Sequence, residues 1–149
     1  MSLLNNSIIR VPKPVNEPQF DYAPNSEARR QLKTALSQLA DKQLEIPLVI
    51  GGKEVKTGKL GEVVMPHDHG HTLADYHQAG EKEVQMAIEA AMDAKTEWQR
   101  LRWEERAAIF LKAAELISGK YRFQLNAASM LSTSCLLYTS DAADEVSPV

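Results

Sequence analysis

The sequence predicts an α/β chain: an extended arm, a helix, short β-hairpins, then an antiparallel helix pair, together an incomplete domain. Two observations carry this. The stretches Gly80–Trp98 and Trp103–Gly119 both repeat apolar residues at helical steps, and residues 45–78 hold β-prone segments broken by Gly51-Gly52 and by Pro66. In the first helix Val84, Ala87, Ile88, Ala91, Met92 and Trp98 fall at three- and four-residue spacing, which places them on one stripe of a helix of period 3.6. In the second, Phe110, Ala113, Ala114 and Ile117 do the same, with Ile109 and Leu116 beside them. The link Gln99–Arg100–Leu101 is short enough to demand an αα-hairpin or a sharp corner. The alanines predict close approach of the two helices, on which the rest of the chain would pack.

Upstream, residues 11–24 carry four prolines, which lack the N–H donor and disfavour helix in the residue before them. An extended arm over residues 1–24 follows, expected to lie on a larger body. Asn25 or Ser26 can cap the next helix, whose buried stripe is Ala28, Leu32, Ala35, Leu36 and Leu39. Arg29, Arg30, Lys33 and Lys42 read as its solvated surface. Glu45–Thr57 reads as one hairpin turning at Gly51-Gly52, where a tight turn needs positive φ. A glycine pair can cradle a phosphate, but no helix follows this one and no third glycine completes a fingerprint.

Glu62–Met65 and Thr72–Gln78 are two more strands, with P-H-D-H-G-H between them. Three imidazoles at alternate positions, His67, His69 and His71, raise a metal site, since imidazole is the commonest nitrogen ligand. Asp68 and Gly70 make the segment a turn, and no cysteine or paired acid completes a ligand set. The expectation is a partly exposed turn without metal. Gly80 then caps the first long helix, with Glu81 and Glu83 at its positive end, and Gly119 suits a left-handed stop for the second. Lys120 to about Leu131 begins another helix with Phe123, Ala127 and Leu131 on one face.

Hydrophobic residues at 44% and charged residues at 25% are ordinary for a globular chain. A formal charge of −3 with no basic patch argues against nucleic acid as a partner, and no apolar run approaches the length of a membrane span. The opening M-S-L-L-N-N-S-I-I-R has neither a signal-peptide pattern nor the arginines of a mitochondrial presequence, so a cytoplasmic location is expected. The single cysteine, Cys135, excludes an internal disulfide framework.

That cysteine opens a segment, C-L-L-Y-T-S-D-A-A-D-E, that resembles the translation of a transposase-type sequencing adapter over eleven consecutive positions. Residues 132–149 are therefore expected to be a non-native tail and are set apart from fold reasoning. Without Cys135–Val149 the acidic residues fall from 20 to 17 and match the 17 basic ones.

Residues 25–131 form the part to be explained. The order I-G-G-K-E-V, M-P-H-D-H-G-H-T-L-A, the helix ending in Trp98 and then E-R-A-A-I-F-L-K-A-A-E-L-I resembles the N-terminal part of the aldehyde dehydrogenase superfamily. The arm with N-E-P, the helix before the hairpin and F-L-K-A-A-E-L-I-S-G-K-Y-R narrow the likeness to the branch that oxidises glutamate γ-semialdehyde. Arg102-Trp103 departs from the family's Ser or Thr at the start of the second helix, a poorer cap that costs about 1 kcal/mol.

The resemblance implies an NAD-dependent oxidation. A cysteine thiolate attacks the aldehyde, hydride leaves for NAD, and a glutamate-activated water releases the acid. It also implies a small-molecule aldehyde substrate and a homo-oligomer, and the charge and hydropathy above leave neither nucleic acid nor membrane as an expected partner. The family's cysteine, glutamate, oxyanion asparagine and phosphate-binding glycines lie downstream of this region. It therefore assigns no catalytic, cofactor-binding or metal residue here, and this region's role is support and subunit packing. Two alternatives stay open: an aldehyde dehydrogenase of different substrate, and a non-catalytic helical interaction module.

Overall fold

The computed structural model describes residues 10–134. Residues 1–9 and 135–149, which include Cys135 and the adapter-like segment, lie outside them. The described order is α1 (Glu27–Ala40), β1 (Leu44–Ile46), β2 (Leu48–Ile50), β3 (Lys53–Val55), β4 (Leu60–Met65), β5 (Asp68–His77), α2 (Glu81–Arg100), α3 (Trp103–Ser118) and α4 (Arg122–Thr133).

Ser26, not Asn25, caps α1: its Oγ accepts from the Arg29 N–H at 3.3 Å. Asn25 sits before it at φ 66, a left-handed turn position that asparagine tolerates. The stripe of α1 buries Leu32 and Ala35 against Ala127 of α4, with Leu36, Leu39, Phe123 and Met130 around them. The arm joins this pair. Phe20 stacks on Phe123 at 6.1 Å between ring centroids, the Arg122 guanidinium lies 4.1 Å over the Phe20 ring, and Asn126 donates to the Tyr22 hydroxyl at 3.0 Å.

The strands form two sheets, one ordered β1-β5-β4 and one of β2-β3. Here the expected single hairpin from Glu45 to Thr57 is corrected. Pro47 divides it, since proline has no N–H to give a ladder. Residues before it form β1, which pairs parallel with β5 in the register Leu44↔Ala74 and Ile46↔Tyr76. Only β2 and β3 make the hairpin, Leu48↔Val55 and Ile50↔Lys53, across Gly51 and Gly52 at φ 57 and 75. A second correction concerns P-H-D-H-G-H. The turn is Pro66-His67 alone, and Asp68–His71 already belong to β5. The ladder between β4 and β5 shifts register on either side of Val64, which lets Leu73 and Ala74 both be buried although they are neighbours.

The helix pair is the largest correction. Neither α2 nor α3 holds a buried residue, so they are not the core on which the chain packs. Of the two geometries open to the short link, the structure takes the corner. The helices meet near the junction, where Trp98 and Phe110 contact edge-on at 6.5 Å, and the close alanine-mediated approach does not form. Instead α2 packs against β2 and its turn, and α3 against α4. A Cβ on Gly51 would stand 3.3 Å from the Ala90 Cβ, which shows how closely the hairpin turn lies on α2.

Both long helices are capped from within. The Glu83 carboxylate accepts the Gly80 N–H at 2.8 Å, and the Glu105 carboxylate accepts the Arg102 N–H at 2.9 Å. The second contact compensates for the poor cap expected at Arg102. Gly119 does not take the expected left-handed conformation; its φ is −111. It is small for another reason: a Cβ there would stand 2.9 Å from the Glu115 carbonyl oxygen.

Candidate functional site

The polar groups brought together most tightly centre on His77, which the sequence did not single out. His77 ends β5 and is 5% exposed. Its Nδ1 accepts two backbone N–H groups of the β3–β4 connector, Thr57 at 3.0 Å and Gly58 at 3.2 Å. An acceptor at Nδ1 carries no proton, so the proton sits on Nε2, which donates to Glu45 Oε1 at 2.9 Å. Glu45 lies on β1, and its other oxygen bonds the Lys56 ammonium. That ammonium, and after it the imidazole, holds the Glu45 carboxyl below the usual carboxylate range. Thr57 adds a hydroxyl donated to the Gln78 carbonyl at 3.0 Å. This chain of contacts joins both sheets. It contains no nucleophile beside a base.

The three predicted histidines part company. The His71 Nε2 bonds the Ala40 carbonyl at 2.8 Å, tying β5 to the end of α1. The His67 Nδ1 bonds the Ser134 hydroxyl at 2.6 Å, tying the turn to the end of α4. His69 is exposed. Among the described residues no group of three His, Cys, Asp or Glu side chains is arranged to hold a metal ion.

A cleft of about 320 Å³ opens between the sheet and α4. Leu39, Leu44, Ile46, Val63, Leu73 and Leu125 line it, together with Ser129 and Ser132 of α4. Among the described residues that line it none is titratable, so these can bury apolar atoms but cannot move a proton or stabilise a charge.

A dinucleotide needs backbone N–H groups free to face its phosphates. The starts of α1, α2 and α3 are taken by Ser26, Glu83 and Glu105, and two of these caps are carboxylates that repel an anion. Gly51-Gly52 is a hairpin turn seated on α2. These three starts and the hairpin turn are thus engaged within the chain, whereas α4 starts at Arg122 without a side-chain cap.

Comparison with known proteins places the chain in one family. Residues 53–147 match the model of the aldehyde dehydrogenase family, and the chain belongs to that family. Among curated relatives it is 46% identical over 123 residues to a probable Δ1-pyrroline-5-carboxylate dehydrogenase of Schizosaccharomyces pombe, covering 82% of this chain and 22% of that protein. It is 40% identical over 121 residues to the mitochondrial Δ1-pyrroline-5-carboxylate dehydrogenase of Dictyostelium discoideum, covering 81% and 22%. Among solved structures, a Mycobacterium tuberculosis Δ-pyrroline-5-carboxylate dehydrogenase bound with NAD superposes with a TM-score of 0.81 at 44% identity, over 85% of this chain and 24% of that one. The chain thus spans about a quarter of the length of the relatives it matches.

Proposed function

We propose that this chain is part of an NAD-dependent aldehyde dehydrogenase that oxidises L-glutamate γ-semialdehyde, formed from Δ1-pyrroline-5-carboxylate, to L-glutamate in proline breakdown. The observation that carries the reading is the 44% identity and TM-score of 0.81 to a structure bearing that enzyme's name and holding NAD. This part serves as scaffold. Its described side chains cap helices, tie strands together and bury a small core; none forms a catalytic or cofactor-binding set. Catalysis, cofactor binding and assembly into a homo-oligomer belong to the complete enzyme.

The test is NADH formation from glutamate semialdehyde, measured with the chain as it stands and with the same region inside a protein of its relatives' length. The chain alone yields none, with Cys135 intact or changed to alanine, and the longer protein yields NADH. NAD reduction by the chain alone that survives Cys135→Ala overturns the scaffold reading. A longer protein that reduces NAD with other aldehydes but not with this one replaces the substrate and keeps the family.

A further inference from the structure

We propose that His77 is an acid-released latch: protonating its Nδ1 releases the backbone N–H groups of Thr57 and Gly58 from the end of β5 while the His77–Glu45 contact stays closed.

The argument starts from the two sides of one ring. On the connector side, Nδ1 is an acceptor shared by the N–H groups of Thr57 and Gly58. A proton at Nδ1 faces two donors, and both contacts become repulsive. On the strand side, Nε2 already donates to Glu45, and a positive ring strengthens that contact. Imidazole is the side chain that changes charge nearest neutrality. Glu45 stays ionised as acid is added, because Lys56 bonds its second oxygen and holds its carboxyl low. Glu45 from β1 bonds the ring directly, and Lys56 from the connector acts through Glu45; Asp75, two residues earlier on the same face of β5, is the register partner of Glu45 on β1 and of Glu62 on β4, and its carboxylate accepts from the Gln43 amide. From β4 the register partner is Leu60, which carries no charge. The proton that Glu45 favours is the one that Thr57 and Gly58 oppose, so the ring responds by parting from the connector.

The release is local for a structural reason. The connector is held to the strands by the His77 contacts, by the Thr57 hydroxyl on Gln78, by the Gln78 N–H on the Lys59 carbonyl at 2.8 Å and by Lys56 on Glu45. The α1–α4 core lies elsewhere and shares none of these groups.

Nitrogen-15 NMR of the unmodified chain tests this. At neutral pH the His77 ring should show the Nε2–H tautomer. As the pH is lowered from neutrality, hydrogen-exchange protection at Thr57 and Gly58, corrected for intrinsic rates, should fall by about tenfold or more, the loss of roughly one hydrogen bond's worth of closure. Ala35, in the α1–α4 core, should keep its protection. In His77→Asn the side-chain oxygen supplies an acceptor near the Nδ1 position without titrating, and protection at both amides should not vary with pH. An Nδ1–H tautomer overturns the proposal. So does protection at Thr57 and Gly58 that holds as the pH is lowered, or the same acid-dependent loss in His77→Asn.

Discussion

In α1 and α4 the apolar stripes meet: Leu32 is 1% exposed, and Ala127 is fully enclosed. In α2 and α3 the stripes are as regular, yet Ile88 remains 52% and Phe110 67% exposed. The first pair is closed by its own partner and by an arm whose aromatic rings cover the seam. The second turns away from itself at a corner and presents Val84, Ile88, Met92, Phe110 and Ile117 outward. Periodicity is a property of one helix, whereas burial needs a second surface. In a chain that covers about a quarter of its relatives' length, that surface need not be present.

The contrast can be broken at its strongest point. Leu32→Ala should cost about 2–5 kcal/mol, as large-to-small changes in closed cores do, whereas Ile88→Ala should stay within about 0.5 kcal/mol. Denaturant midpoints followed by circular dichroism compare the two. Equal losses would mean that α2 is buried in solution. The second effect concerns association. Half-exposed stripes of this kind favour contact between copies. The double change Ile88→Lys and Phe110→Lys should therefore reduce concentration-dependent association in sedimentation while helical ellipticity is kept. Unchanged association would place the sticky surface elsewhere.

The smallest effect is electrostatic and lies between the two regions. Glu45 has a carboxyl lowered in the folded chain, by Lys56 first and His77 second. A lowered folded value means that its contribution is present above the unfolded carboxyl's range and is lost as pH falls through the folded one. Glu45→Gln should thus lower stability slightly near neutrality and leave it unchanged in strong acid. A difference that persists in strong acid would assign the effect to packing.

Much of the local structure was legible. Ser26 before a stripe, Glu83 in the first turn of its helix, and Gly51-Gly52 between β-formers are signals contained within a few residues, whereas the cap that Glu105 supplies to Arg102 was passed over. The family likeness was legible through the order of such segments. What escaped was non-local. The parallel pairing of Leu44 with Ala74 cannot be read from either strand, although Pro47 marked where the supposed hairpin had to divide. His77 gave no sign because its partners lie 20 and 32 residues away. The P-H-D-H-G-H run misled because Asp68 and Gly70 have the composition of a turn, while pairing with β4 draws them into a strand.

The contact that fastens the arm also sets a clock. Asn126 and Tyr22, which close over the seam of α1 and α4, are 104 residues apart in sequence. A ribosome adding about 5–20 residues per second takes roughly 5–20 s to travel that far. Throughout that interval α1 has emerged with Leu32 bare, since the helix that shelters it has not yet been made. The largest fully buried side chain among the described residues therefore stays uncovered throughout that interval, and nascent chains of this protein offer chaperones an apolar helix well before they offer a core.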